Sequence, residues 1–344
     1  MRRYILAALF ALAAGAAQAE SEKIKLTFGL TPVVPVASTY LALDKGYLAE
    51  AGFEIAIENQ VSAANFIPFL STNRVQVVQG GITVGYYNAV AQGLPIILAL
   101  DSGSSPVNQD LLVRPELKDQ IKEIADLKGR AVAVVVPGSM PHYFVGKTLE
   151  TAGLTIKDIE VKFIGFPAMG AALKNGAVDA ALEVPPYGDQ LVAQGLGARW
   201  INPDEIVKPQ PVSVVAYFVN TDWASQNRAA ALRLFTVLAR AGREYCDAYH
   251  HGANRAEVVD TLAKHGVMAD RDLLAHMAWQ ARDPSGRFNR ASLDDIQGWF
   301  FRQGLMPKKA PEDRLVDDSY ADAAANSLGA YSPANPASPL KGCR

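Results

Sequence analysis

Cysteine is scarce in this chain: Cys246 and Cys343 are the only two in 344 residues, too few for a disulfide framework and without the spacing of a metal or redox site. Cys246 lies in a helical pattern and Cys343 near a loose end, so two unpaired thiols are expected. Basic residues are not in excess either. The 33 Lys and Arg against 35 Asp and Glu leave a formal charge of −2 with no basic block, which excludes the electrostatic footprint of a nucleic-acid binder. Beyond residue 20 no stretch has the roughly 18 uncharged apolar residues of a membrane helix. The signatures of common catalytic sites are missing as well: there is no Gly-x-Ser-x-Gly, no His-Glu-x-x-His and no phosphate-binding Gly-x-x-x-x-Gly-Lys-Ser/Thr. Gly195-Leu196-Gly197 leads into a strand pattern, not the helix of a dinucleotide site. His250-His251 with His265 reads as solvated helix-end histidines, so neither a metal nor a cofactor is expected.

What the chain does have is a core. It is 49% hydrophobic and 20% charged, a globular balance, and its length suggests two domains. Met1-Arg2-Arg3, the apolar run Tyr4 to Ala17 and the small-x-small end Ala17-Gln18-Ala19 form a signal-peptide pattern with cleavage expected after Ala19. Losing Arg2 and Arg3 leaves 31 basic residues against 35 acidic. The expected mature protein is exported, without a lipid-bearing cysteine at its start, and located in a periplasm.

From residue 24 onward, short β-branched runs alternate with helical ones: Lys25 to Thr31 extended, Ser38 to Ala51 helical and stopped by Gly52, Phe53 to Asn59 extended, and so on to Asp101. The same grammar restarts at Arg130 and runs to about Ile201. After Asn220 only helical patterns follow. This is the pattern of α/β units with largely parallel sheets covered on both faces. Extended runs at 106–114 and 211–220 bracket the second unit and suggest an inserted lobe reached by two hinge strands. The expected layout is a first lobe of residues 20–107 and 215–330, a second lobe of 108–214 with the hinge strands, and a disordered tail at 331–344. In open α/β sheets ligands sit beyond the carboxyl ends of the strands, which places the site between the lobes.

Turns at those strand ends supply the candidate site: Thr31-Pro32, Gly80-Gly81-Ile82-Thr83, Asp101-Ser102-Gly103, Pro137-Gly138-Ser139 and Glu183-Val184-Pro185-Pro186-Tyr187. In the fourth, Ser139 is a preferred N-cap and Pro141 fits a first helical turn, so Ser139, Met140 and His142 form a helix start suited to an oxyanion.

An ordered set of segments carries a resemblance. It comprises Thr39-Tyr40-Leu41-Ala42-Leu43-Asp44-Lys45-Gly46-Tyr47-Leu48, Asp126-Leu127-Lys128-Gly129-Arg130, Pro137-Gly138-Ser139, and Ala172 to Ala180 before Pro186-Tyr187. Spanning about Lys25 to Leu305, it resembles solute-binding proteins of ABC importers of the nitrate, sulfonate and taurine type, whose domain is shared with thiamine-pyrimidine synthase-like proteins. The resemblance implies a two-lobed periplasmic-binding-protein fold (type II), with the helical C-terminal part packed on the first lobe. It also implies a monomeric receptor that takes a small organic anion, a sulfonate or carboxylate, to an ABC permease. Ligand-binding candidates are Thr31, Pro32, Thr83, Ser102, Ser139, Met140, His142, Glu183 and Tyr187, with Ser139 and His142 at the oxyanion and Tyr187 on the organic portion. Relatives often carry Trp and then an acid before the proline; here the pair before Pro186 is Val184-Pro185, leaving Glu183 as the nearby acid. The alternatives are a thiamine-pyrimidine-precursor binding or synthase-like protein, and a ligand-sensing receptor of the same fold.

Overall fold

Alternating apolar residues in β1 (Ile24–Leu30) bury Leu26, Phe28 and Leu30 and set a parallel register with β2 (Phe53–Asn59) and with β3 (Val77–Gly81). The computed structural model describes residues 23–344; the signal-peptide pattern and its cleavage point lie outside the described residues. The first sheet is completed by β4 (Ile96–Ser104) and by a strand from far along the chain, β10 (Ser213–Asn220), giving the order β2-β1-β3-β10-β4 with β10 antiparallel to both neighbours. The second sheet is formed by β5 (Asp110–Val113), β6 (Ala131–Val134), β7 (Glu160–Phe163), β8 (Ala180–Glu183) and β9 (Ala198–Ile201), ordered β7-β6-β8-β5-β9. Within it β6 runs parallel to β7 and β8, and β5 antiparallel to β8 and β9. Two five-stranded sheets with helices on their faces make a two-lobed α/β fold of the periplasmic-binding-protein kind.

The chain passes between the sheets twice, once after β4 and once before β10. The passages are tied together: the Asp204 carboxylate accepts the backbone N–H groups of Val107 and Asn108 at 2.7 and 2.8 Å, and Ser105 N–H donates to the Val212 carbonyl. The helices after β10 pack mainly on the first sheet. Leu234, Phe235, Leu238 and Tyr245 of the long helix Arg228–Tyr249 join Phe28, Tyr40 and Tyr217 in one core. The helix Arg290–Arg302 departs from that plan and touches both lobes. On one side Tyr87 O–H donates to the Leu293 carbonyl, and on the other Tyr143 O–H donates to Asp295 at 2.6 Å. Fully buried Trp299 packs edge-on against Tyr143 and His142.

Two expectations about the C-terminus are overturned. Cys246 and Cys343 are joined in a disulfide with Cα atoms 5.2 Å apart, within the span such a bond bridges. Residues 331–344 are seated, not loose, because Tyr331 O–H donates to Asp247 and Tyr249 O–H donates to the Lys341 carbonyl. His250 is fully buried there, its Nε2 bonded to the Cys343 carbonyl, so it is no solvated helix end.

Close approach at Trp299 yields a test. A Cβ on Gly146, in the helix Met140–Glu150, would collide with the Trp299 ring. Gly146→Ala is expected to lower unfolding free energy by about 1–3 kcal/mol through overpacking, read by urea denaturation.

Candidate functional site

The carboxyl ends of β1, β3, β6 and β8 face one another across a cavity between the lobes. On the measure by which one water needs at least about 10–15 Å³, it holds about 60 Å³, room for several waters or a compact organic molecule. The first lobe supplies Thr31, Ser62, Thr83 and Gln280, the crossing chain supplies Gln109, and the second lobe supplies mainly Val135, Met140, Phe166 and Val184. The first lobe also contributes Val33, Val61, Ala63, Val214 and Val215, so its polar groups stand among apolar ones, while the second lobe's lining is apolar but for Ser139.

Four of these polar side chains are notable for what they do not bond. Thr31 Oγ1, Thr83 Oγ1, Gln109 Nε2 and Gln280 Nε2 are all buried and have no hydrogen-bond partner in the protein. Unpaired buried polar groups are costly, about 1–3 kcal/mol each, and most native ones have a partner. Here all four can donate and all line the same cavity, so an acceptor placed there satisfies several at once. Local structure holds them in place. Thr83 stands at the N-cap of helix Val84–Ala91 but makes no side-chain capping bond, which leaves its hydroxyl for the cavity. At Gly80 a Cβ would lie 2.8 Å from Thr31 Oγ1, and at Gly103 it would lie 2.8 Å from Gln280 Nε2. Two backbone sites without side chains thus make room for two of the four donors.

Of the residues expected from sequence, Thr31, Thr83, Ser139 and Met140 line this cavity, while Pro32 and Tyr187 line an adjoining one with Thr31 and Val61. Tyr187 O–H reaches across to donate to the Pro32 carbonyl at 3.3 Å, and its ring stacks on Phe166. The other three candidates are corrected. Ser102 is interior to β4, which continues to Ser104, so the expected turn at Asp101 to Gly103 does not exist and Ser102 is not at the cavity. Glu183 is the last residue of β8, and strand alternation turns it away from the cavity that its neighbour Val184 lines. It is completely buried, and neither carboxyl oxygen has a partner. Desolvation raises its pKa well above the usual carboxylate range.

His142 is the third correction, since it is not among the residues lining the cavity. Its Nδ1 accepts the Gly138 N–H at 3.1 Å while its ring lies edge-on to Phe163 and Trp299. The Ser139 hydroxyl is also spent locally, donating to the Val136 carbonyl and accepting the His142 N–H. This helix start consequently does structural work: the Gly138 carbonyl accepts the Val84 N–H from the opposite lobe at 2.8 Å. Gly138 has a left-handed φ of +65°, and a Cβ there would collide with Val84, so glycine permits this close approach. Sequence reasoning missed Gln109 and Gln280. Gln109 lies in the expected extended run at 106–114, where a polar residue at a lobe crossing was an available signal; Gln280 lies beyond the last strand pattern and gave none.

A family model described as the NMT1-like family matches residues 19–263, well over half of the chain. The chain belongs to the NMT1-like family. Among other proteins, this NMT1-like chain is 27% identical over 150 residues to a Haemophilus influenzae protein named for thiamine biosynthesis, covering 42% of the chain and 45% of that protein. The matches span less than half the length of the curated relatives found. In three dimensions the NMT1-like chain is similar to the periplasmic aliphatic sulphonate binding protein SsuA from Escherichia coli, with TM-score 0.68 and 21% identity over 86% of this chain and 98% of that one. It is likewise similar to the periplasmic nitrate-binding protein NrtA from Synechocystis, with TM-score 0.72 and 18% identity over 94% and 92%. These likenesses establish the shared fold.

Burial at His142 makes a pH prediction. Desolvation pushes the imidazole down to about 4 from its ordinary value near 6.5. The neutral ring belongs to the folded state, so its contribution to stability is complete above about pH 6.5. That contribution is lost as pH falls through the window from about 6.5 to about 4. Melting temperature is expected to fall further between pH 7 and pH 4.5 in the wild type than in His142→Asn, whose side chain does not titrate; equal falls count against this assignment.

Proposed function

We propose that this protein is the exported substrate-binding component of an ABC importer, capturing a small organic acid between its lobes and presenting it to a membrane permease. The observation that carries the reading is the convergence of four unpartnered donors, Thr31, Thr83, Gln109 and Gln280, on one cavity between the lobes. The ligand that fits is a compact molecule with an acceptor-only head, a carboxylate or sulfonate, and an apolar body. The head meets the hydroxyls and carboxamides of the first lobe and the crossing chain, while the body lies against Val135, Met140, Phe166 and Val184. Each polar side chain on this wall is neutral, so recognition rests on hydrogen bonds without a countercharge, in the manner of neutral-donor anion sites.

Closure follows from the same division of labour. A ligand held by the first lobe is covered when the second lobe swings over it, and the contacts Val84 to Gly138 and Tyr187 to Pro32 form only then. Ligand binding favours the closed state by the differential burial of the apolar body, and that state is the form a permease can distinguish. Export and a periplasmic setting agree with the N-terminal pattern and with the SsuA and NrtA likenesses.

The test is thermal unfolding of residues 20–344, refolded free of carried ligand, against butanesulfonate, benzoate, succinate, nitrate and uracil. A ligand at about 100 times its dissociation constant adds about 2.7 kcal/mol, a shift of a few degrees. Stabilisation by a sulfonate or carboxylate is expected; stabilisation by uracil alone replaces the organic acid with a neutral heterocycle, and none from any probe refutes the assignment. Thr83→Val supplies the site control. It removes one donor that bonds nothing in the protein, so affinity for the stabilising probe is expected to drop about five- to tenfold, as befits one hydrogen bond. Stability of the free protein should stay within about 0.5 kcal/mol.

A further inference from the structure

The C-terminal tail ends against the segment that delivers Gln280 to the cavity. Residues 279–282 run between two sets of contacts. On the cavity side, Ser104 N–H donates to the Ala281 carbonyl at 2.8 Å, Ala281 N–H donates to the Pro106 carbonyl at 2.9 Å, and Asn108 Nδ2 donates to the Trp279 carbonyl at 2.5 Å. These bonds tie the segment to the end of β4 and to the crossing chain that carries Gln109. On the far side, Cys343 N–H donates to the Arg282 carbonyl at 3.1 Å, and Gly342, with φ of +84°, lies so close to Ala281 that a Cβ would collide with it. Tyr245, one residue before Cys246, donates its O–H to the Gln280 carbonyl at 2.7 Å. The long helix therefore holds this segment directly through Tyr245 and indirectly through the Cys246–Cys343 bond and the tail.

We infer that the disulfide-clamped tail is a positioning element of the binding site, fixing the 279–282 segment and through it the Gln280 carboxamide. The inference rests on the proposed role of the cavity. Its geometry is specific: the tail backs the segment where the segment bonds to β4, and Gln280 fills the space that Gly103 leaves open. Besides the clamp, residues 331–344 are held by non-covalent bonds alone, among them Tyr331 to Asp247, Asn335 to the His250 carbonyl and the single Cys343 N–H bond to the segment itself. The two cysteines are 97 residues apart, so the bond is a long-range covalent tie between the tail and the long helix, added to the tail's hydrogen bonds.

Two readouts decide it, both on the full mature chain carrying Cys246→Ser and Cys343→Ser together. The first needs no ligand: amide hydrogen exchange at Ser104 and Ala281 is expected to quicken at least tenfold, while amides of β1 and β3 keep their protection. Unchanged exchange at those two positions overturns the inference, and so does an equal quickening throughout the first sheet, which marks a general loss of stability. The second is benzoate titration in a double-mutant cycle with Gln280→Ala. Removing the clamp is expected to weaken benzoate about fivefold when Gln280 is present and by less than twofold when it is not. An equal loss in both backgrounds, or none in either, overturns the link to Gln280. Failure of benzoate to bind the intact protein counts against the organic-acid reading, and the exchange measurement still decides whether the clamp fixes the segment.

Discussion

Strand β10 lies antiparallel between β3 and β4, and this placement governs the rest of the molecule. A central position in the first sheet is filled by a segment more than a hundred residues downstream of its neighbours. The intervening chain must leave the sheet and return, and what it builds meanwhile is the second lobe. Both passages converge on one place, where Asp204 binds the amides of Val107 and Asn108. Because β10 also brings Val214 and Val215 to the cavity, the strand that closes the sheet helps to line the site. Fold and site are therefore set by the same long-range pairing.

The asymmetry of the cavity gives this arrangement its chemical sense. Three of the four unpartnered donors, Thr31, Thr83 and Gln280, come from the lobe knitted by the C-terminal helices, where small shifts are resisted by a packed core, and Gln109 comes from the crossing chain. The other lobe supplies almost only apolar contacts, and such contacts are non-directional, so a lobe that moves can supply them without meeting strict geometric demands. Helix Arg290–Arg302 complicates a simple two-hinge picture. It bonds to Tyr87 in one lobe and to Tyr143 in the other, so relative motion of the lobes carries the helix with one of them or breaks a bond to the other.

Alternation, turn residues and the restart of the α/β grammar at Arg130 made the strand order's ingredients readable from sequence, and the resemblance carried by the Thr39 to Leu48 and Pro137 to Ser139 segments pointed to the fold. Details of facing were not readable. Glu183 and Val184 are adjacent, one closing β8 and the other just beyond it, and only the folded chain shows that Val184 and not Glu183 lines the cavity. A preferred N-cap followed by proline correctly located a helix at Ser139. It could not tell that the hydroxyl and the imidazole of His142 would be consumed in shaping the turn that touches Val84. The unpaired-thiol expectation failed for a related reason: a pairing across 97 residues leaves no local trace, and a Pro- and Ser-rich tail looks loose until its tyrosine and carbonyl contacts are known. Gln280 was invisible because nothing local marks a lone glutamine that becomes important only when β4 lies beside it.

The buried, unpartnered acid at Glu183 bears on how such a site changes its selectivity. A carboxyl group stands one residue from the cavity wall, in a strand whose two faces differ by a single step. Exchanging the residues at 183 and 184 conserves composition and nearly conserves core volume, yet it removes an unpaired acid from the interior and exposes it to the ligand. The apolar wall then becomes an anionic one that welcomes amines and repels acids. Such an exchange removes a buried, unpartnered carboxyl group from the interior, which offsets part of the cost of remodelling the wall.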